Sequence, residues 1–351
     1  MMRTWRLIPI VLLTLIIATG FQSANRACEV IIAQAMEVVE SACAGTGRNQ
    51  VCYGNLAVEA IPQVDVAQFT FAQVGDIALL SDLQTLRLSP LNLETEEWGV
   101  ALLKLQANLP DTLPGQNVTF LLFGDSELSA TRSRSAANAT QAFYLRTRNG
   151  EVSCQSVIQS GLLVQTPQGA GQVEFTLNGV DVRMGSTVLF QAGSETPQMT
   201  VTTLEGSAYV DVDGLESVIV AGTQVDIPLE EILNDVGDIL LEASGPAELP
   251  EAYADELMLL ETLPVALLEE TIAIVEPVDE VVLEEIQSAI SAGGLLCGVD
   301  PLPACEEDEL PLDIPLCGIP GLPDCEADDS VGDLPVEDGN PGESDDASSG
   351  E

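Results

Sequence analysis

The chain contains no histidine, and its positive charge is sparse: 11 Lys plus Arg stand against 56 Asp plus Glu, a formal net charge of −45 over 351 residues. None of those cations follows Arg183. Without histidine there can be no Ser-His-Asp triad, no Cys-His dyad and no imidazole-ligated metal. So few cations cannot neutralise a phosphate backbone, so nucleic acid is not a partner. Anionic membrane surfaces are disfavoured for the same reason. Two Trp and four Tyr are too few for a sugar-stacking platform. There is no P-loop and no strand-borne G-x-G-x-x-G. The nearest approach to a nucleophile elbow, Phe123-Gly-Asp-Ser126-Glu, lacks the second glycine of G-x-S-x-G. With 56 acids, carboxylate pairs fit for glycoside hydrolysis occur everywhere and none stands out. The expectation is a protein that is not an enzyme, with no catalytic, cofactor-binding or metal-ligating set and no cofactor.

What is present begins with an export signal over residues 1–24. Arg3 and Arg6 precede an apolar run, Leu7–Ala18, and small residues follow at Ala18, Gly20, Ala24 and Ala27. A transmembrane helix needs roughly 20 apolar residues, so this run reads as a cleaved signal peptide, and no other stretch is long and apolar enough to span a bilayer. A lipid anchor on Cys28 is the rival, but Asn25-Arg26-Ala27 is a poor lipobox and lipidation would leave an odd number of thiols. Localisation is expected to be extracellular or in the cell envelope.

Eight cysteines, an even number, agree with export and disulfides. They form two sets: Cys28, Cys43, Cys52 and Cys154, then Cys297, Cys305, Cys317 and Cys325. Residues 28–42 have helical periodicity, with apolar residues at Val30, Ile31, Ala35 and Val38. Such a helix spans roughly 22 Å, so Cys28 and Cys43 cannot pair across it. Two pairings stay open, 28–154 with 43–52 or 28–52 with 43–154, and the short loop Ala44–Val51 favours 43–52. The second set lies in a repeat, Leu296-Cys-Gly-Val-Asp-Pro-Leu-Pro-Ala-Cys-Glu306 against Leu316-Cys-Gly-Ile-Pro-Gly-Leu-Pro-Asp-Cys-Glu326. Local pairs, 297 with 305 and 317 with 325, are the economical reading. A Cys-four zinc site would have C-x₂₋₄-C spacing.

Residues 162–229 carry the strongest fold signal. Val173–Leu177 and Val180–Met184 alternate apolar and polar around Asn178-Gly179, a hairpin signature. The pattern continues through Thr187–Gln191, Met199–Leu204, Ala208–Val212, Leu215–Val220 and Gln224–Ile227, punctuated by Gly185-Ser186, Glu205-Gly206, Asp213-Gly214 and Ala221-Gly222. This spacing predicts a small antiparallel sandwich or roll. Asp211-Val-Asp213-Gly214 hints at a calcium loop, but it lacks the later ligands and closing Glu of an EF-hand and reads better as a hairpin turn.

Gly185-Ser-Thr-Val188, Met199-Thr-Val-Thr-Thr-Leu-Glu-Gly-Ser-Ala208 and Val220-Ala-Gly-Thr-Gln-Val225 resemble the FecR-like domain, in which a GS turn, a V-x-L-x-G strand end and an AG-x-x-V ending recur. Thr202 stands where the second motif has Val. The resemblance covers about 70 residues and implies an extracytoplasmic β domain. Family members include regulators that carry signals across a bacterial envelope to a sigma factor. Only six residues precede the hydrophobic run here, too few for a sigma-binding domain, so that role would need a separate membrane partner. Asn108–Asp125 and Ala142–Thr147 resemble upstream regions of such secreted proteins, which implies no activity.

The chain is thus expected to be mainly β, with antiparallel sandwich or roll domains, a short N-terminal helix, a helical C-terminal segment and a disordered acidic tail. After the signal come a disulfide-containing, mostly β domain (28–160), the FecR-like domain (161–229), an acidic helical segment (230–294), the Cys/Pro repeat (295–326) and the tail (327–351). In the first domain Gly45–Asn55 reads as a loop, as does Ser129–Gln141, and strands are expected at Gln68–Ala72, Leu83–Leu88, Trp98–Gln106, Val118–Phe123 and Phe143–Arg148. Helical spacing marks Leu229–Leu241 and Glu251–Leu263. A third helix, opened by Pro277 and ended by Gly293-Gly294, has an apolar stripe that should cover an open face or edge of the β domain, with a partner helix as the rival occupant. Arg132, Arg134, Arg146 and Arg148 could pair with the acidic C-terminal half. Asn117-Val-Thr and Asn138-Ala-Thr match the glycosylation sequon. The expected role is a non-catalytic binding or scaffold module whose partner is an unknown protein or envelope component. Weak divalent-cation binding by the acidic tail is an open option.

Overall fold

Four stretches of this chain are apolar at both odd and even positions, and a strand of that kind requires cover on both of its faces. They lie in the first layer of a two-layer β-structure. The computed structural model describes residues 26–106, 117–130, 142–148, 154–167, 171–193, 196–234 and 237–292, with Cys297 and Leu302. The first layer contains β1 (Gln50–Asn55), β3 (Ile77–Leu79), β5 (Val100–Gln106), β6 (Asn117–Phe123), β9 (Gly161–Gln165), β12 (Thr187–Gly193), β13 (Gln198–Glu205) and β16 (Thr223–Leu233). Its antiparallel order is β3-β1-β5-β6-β9-β12-β13-β16. The second layer contains β2 (Val58–Pro62), β4 (Leu83–Leu88), β7 (Ser126–Ala130), β8 (Ala142–Thr147), β10 (Val173–Leu177), β11 (Val180–Met184), β14 (Ser207–Val212) and β15 (Leu215–Val220). These pair in that order, all antiparallel except β8 with β10. A short parallel contact, Gly193 opposite Thr147, links the layers through β12 and β8. β17 (Ile239–Ala243) folds back on the far end of β16, and β18 (Glu251–Ala252) pairs with its beginning.

The layers enclose the main core. Phe120 of β6 meets Phe143 of β8 and Phe175 of β10, and Phe175 meets Phe190 of β12, with ring centroids 5.4–5.9 Å apart. Buried, tilted and edge-on rings of this kind contribute roughly 0.5–1.5 kcal/mol per pair beyond their area. The opposite parity of the central strands points outward, as Leu102, Leu121, Leu163 and Leu189, and is buried in a second cluster. One cover for that face is helix α1, residues 26–42, which contributes Cys28, Ile31, Ile32, Ala35 and Val39. The other is the segment around Tyr253, Leu260, Leu263, Leu268 and Ile272, which includes the single turn α2 (Leu257–Leu260). Helix α3 (Glu280–Ser291) starts at Asp279, whose carboxylate accepts the amides of Val281 and Val282 at 3.0 Å. Its Ile286 packs on Tyr209, Val218 and Val220, the outer face of β14 and β15. The apolar stripe of α3 therefore covers a sheet face, as its periodicity predicts.

Several expectations are revised. Leu229–Leu241 is not helical. Leu229–Leu233 continues β16, and a turn held by Gly237 N–H to Asn234 O (3.0 Å) returns the chain as β17. The helix-like spacing of Leu229, Ile232, Leu233 and Leu240 loses to an existing strand that offers a row of backbone partners. Glu251–Leu263 yields only β18 and α2. Gln50–Asn55 is a strand rather than a loop, and Gln68–Ala72 is irregular. No domain boundary falls at 160/161, because β9 pairs with β6 on one side and β12 on the other. In α1 the buried face is shifted: Val30 and Val38 are exposed, while Ile32 and Val39 are buried. The signal segment, the Cys/Pro repeat beyond Cys297 and Leu302, and the acidic tail lie outside the described residues.

Asn178 does more than make a turn. It takes the positive φ (54°) that the Asn-Gly hairpin demands, yet it is fully buried. Its amide nitrogen donates to Leu145 O (2.8 Å) and Leu241 O (2.7 Å), and its side-chain oxygen accepts from Leu145 N (2.9 Å). One side chain thus satisfies backbone groups of β8 and β17 at the open end of a layer. Asn178→Ala should lower stability by about 2–4 kcal/mol, because it strands buried backbone groups and places alanine at positive φ. Denaturant unfolding reads this directly; a loss below about 0.5 kcal/mol would refute the role.

Candidate functional site

Three places in the fold gather the residues that the sequence singles out. The first is where the FecR-like turns meet. Gly185-Ser186, Glu205-Gly206 and Ala221-Gly222 lie on different loops but converge at one end of the sandwich. A Cβ on Gly206 would sit 2.9 Å from Gly185 O, and its φ is +72°. Ala221 N donates to Gly206 O (2.9 Å) and Gly222 N to Thr203 O (3.2 Å). The later chain then crosses this end, with Val278 N bonded to Gly222 O (3.3 Å) and Tyr253 Oη donating to Val275 O (2.6 Å). These motif residues are packed against backbone. Their chemistry is that of turn closure.

The second place is the outward face of β10, β11, β14 and β15. Strand alternation sends every second side chain out, so the register lines up Glu174, Arg183 and Tyr209 in one row and Thr176, Asp181, Asp211 and Glu216 in the next. The groove holds about 260 Å³. Arg183 lies 4.4 Å over the Tyr209 ring and binds Glu216 at 2.9 Å. Thr176 donates to Asp181 at 2.8 Å. Asp211 accepts Gly214 N at 2.8 Å in a turn with positive φ at Asp213 and Gly214, so the suggested calcium loop is a hairpin turn. No group of three or more potential ligands among the described residues is arranged to hold a metal.

The third place is a wider cleft of about 500 Å³ on the outward face of β4, β7 and β8. Register places Glu59, Arg87, Glu127 and Arg146 side by side on four successive strands, alternating in sign. Arg87 Nε binds Glu127 at 3.0 Å, and this carboxylate holds the guanidinium firmly charged. Arg148, just past β8, binds Asp125 at 2.8 Å. Asp238 and Ile239 of the β16–β17 hairpin form the opposite wall. Arg146 and Arg148 therefore gather where the expected interhalf pairing would need them, but Arg148 takes an acid of its own half. Pairs that do cross toward the acidic half are Lys104 with Glu269 and Arg183 with Glu216. Arg132 and Arg134 lie outside the described residues. The sequence flags Arg146 and Arg148 but misses Arg87, Asp125 and Glu127, which only sheet register brings beside them.

The cysteines fall into place with disulfides Cys28–Cys154 (Cα–Cα 5.8 Å) and Cys43–Cys52 (5.7 Å). Cys28 Sγ is thereby committed and is not free for lipid. Cys297 is disulfide-bonded as well, and Cys305, Cys317 and Cys325 lie outside the described residues. Ser126, the elbow-like serine, is buried and donates to Phe123 O at 2.7 Å, a turn-closing bond. Asn117 opens β6 and is half-buried; Asn138 lies outside the described residues.

No family model matches the chain, and no curated protein is detectably similar to it. Among solved structures, two crystal structures of a candidate anti-sigma factor from Parabacteroides distasonis ATCC 8503, at 1.65 and 2.50 Å resolution, are similar over 43% of this chain. The overlap spans 57% and 58% of those chains, at 14% identity and a TM-score of 0.24. A likeness at that TM-score carries no argument about function.

Two tyrosines provide a pH test of the packing. Burial, the largest influence, pushes the Tyr253 phenol up to about 12, and burial followed by the Glu242 hydrogen bond pushes Tyr144 to about 12. The folded-state values lie above the unfolded value near 10. Their contribution to stability is therefore complete below about pH 10 and is lost as pH rises toward 12. Absorbance titration at 295 nm should show Tyr144 and Tyr253 ionising only near pH 12, with unfolding made easier over the same interval. Ionisation of either near pH 10 in the folded protein would contradict this packing.

Proposed function

We propose that the protein is an exported binding or scaffold module of the cell envelope or extracellular space, built on a FecR-like β domain and without catalytic activity. One observation carries this reading: disulfides tie both ends of α1 to the rest of the fold, Cys28 to Cys154 and Cys43 to Cys52. Such bonds persist in oxidising, extracytoplasmic surroundings. A sandwich covered on its outer face and stapled in this way presents a rigid surface, which suits recognition better than chemistry. Zero histidine agrees with that. The partner is a protein or envelope component. Weak divalent-cation binding belongs to the acidic tail in this reading.

The converging turn motifs favour a second reading, a FecR-type envelope signalling component that works with a separate membrane partner. Among the described residues no helix is long and apolar enough to cross a membrane. The two readings separate at the N-terminus.

The test is the intact mass of the protein from its native host, before and after reduction and alkylation. The expected chain starts between residues 21 and 28 and shows eight alkylatable thiols only after reduction. Retention of residues 1–20, or lipid on Cys28, would contradict the exported module and turn attention to the signalling reading.

A further inference from the structure

The cleft on β4, β7 and β8 contains an arginine, Arg146, whose Nε has no hydrogen-bond partner among the described residues. Arg87 is taken by Glu127 at 3.0 Å and Arg148 by Asp125 at 2.8 Å. Arg146 stands between them, opposite Glu127 in the β7–β8 register. Its Nε is buried and has no hydrogen-bond partner among the described residues. A buried charged donor left unsatisfied is costly, and native structures keep such groups chiefly where something else completes them. Apolar side chains also reach the cleft: Pro90 is exposed beside Arg87, and Ile239 on the hairpin rim is 42% exposed.

We propose that this cleft binds a monocarboxylate with an aliphatic body. The carboxylate pairs with the Arg146 guanidinium from the cleft side, and Arg148 adds a second positive charge. The aliphatic part lies along Pro90 and Ile239. Glu127 and Asp238 also line the cleft. Both repel a second negative charge, so a dianionic phosphate is disfavoured against a singly charged carboxylate. This site deepens the binding-module reading and rests on it, but it is tested separately: the mass measurement reports export, and the titration below reports only the cleft.

The experiment is isothermal titration of the full exported chain with hexanoate at fixed ionic strength, with hexylammonium and inorganic phosphate as comparison probes. Hexanoate should bind saturably, hexylammonium should not bind, and phosphate should bind more weakly than hexanoate. Arg146→Gln should weaken hexanoate by about tenfold or more, the loss of a charge-assisted bond. Arg183→Gln, in the other groove, should leave it unchanged. Asp238→Asn removes a repelling charge and should tighten binding severalfold; it decides the matter if Arg146→Gln fails to fold. No saturable hexanoate binding, binding undiminished in a folded Arg146→Gln, no tightening in Asp238→Asn, or phosphate bound more tightly than hexanoate would each overturn the proposal.

Discussion

Double-sided burial of β5, β6, β9 and β12 is the constraint on which the rest of this fold depends. Each strand sends one set of apolar side chains into the sandwich and the other set outward. Leu162 and Val164 of β9 belong to the inner core, while Leu163 between them belongs to the outer one. An uncovered outer face would expose Leu102, Leu121, Leu163 and Leu189 together. The chain resolves this with two of its own segments, laying α1 and the stretch that starts at Tyr253 over the same surface. β9 is central for a second reason. It bonds to β6 and to β12, so the strands before residue 160 and those after it share one hydrogen-bonded layer.

The disulfides act on that cover. A helix of α1's length is marginal alone and gains its stability from packing. Cys28–Cys154 and Cys43–Cys52 anchor its two ends and set its rotational phase. Each bond of this kind contributes roughly 2–4 kcal/mol, mostly by restricting the unfolded chain. The phase matters: with Cys28 and Cys43 both facing the sheet, Ile31, Ile32, Ala35 and Val39 follow them inward. The buried core, the helix and the cysteine spacing are therefore one device.

Much of this architecture was legible in the sequence where the signal is local. Alternation around Asn178-Gly179, the glycine-punctuated strands up to Ile227 and the N-terminal helix all depend on neighbouring residues; α3 opens at Glu280 rather than at Pro277, because the Asp279 carboxylate caps it. The failures are non-local. Gln50–Asn55 becomes a strand because β5 and β3 lie beside it. Leu229–Leu241 becomes a hairpin because β16 already offers a partner row. The apparent boundary near residue 160 vanishes because strand order does not follow chain order. The candidate clefts were legible only in part. Arg146 was visible as one of a few cations in an acidic chain, but its neighbours Arg87 and Glu127 stand 59 and 19 positions away and meet it only through register. The turn motifs that carry the FecR resemblance turn out to be packed against one another, so they inform the fold more than the function.

If the double-sided layer is the organising element, the strands on either side of residue 160 must unfold together. Trp98 offers a clean probe of the first part: it is fully buried, bonded to Gln159 O at 2.9 Å, and the chain's other tryptophan, Trp5, precedes residue 26. The measurement is denaturant unfolding of the oxidised chain from residue 26 onward, followed by Trp98 fluorescence and by amide hydrogen exchange in β13, β14 and β16. A single transition with coincident midpoints is predicted. Two separate midpoints, with Trp98 exposed while β13–β16 stay protected or the reverse, would contradict a shared layer and restore two independent domains.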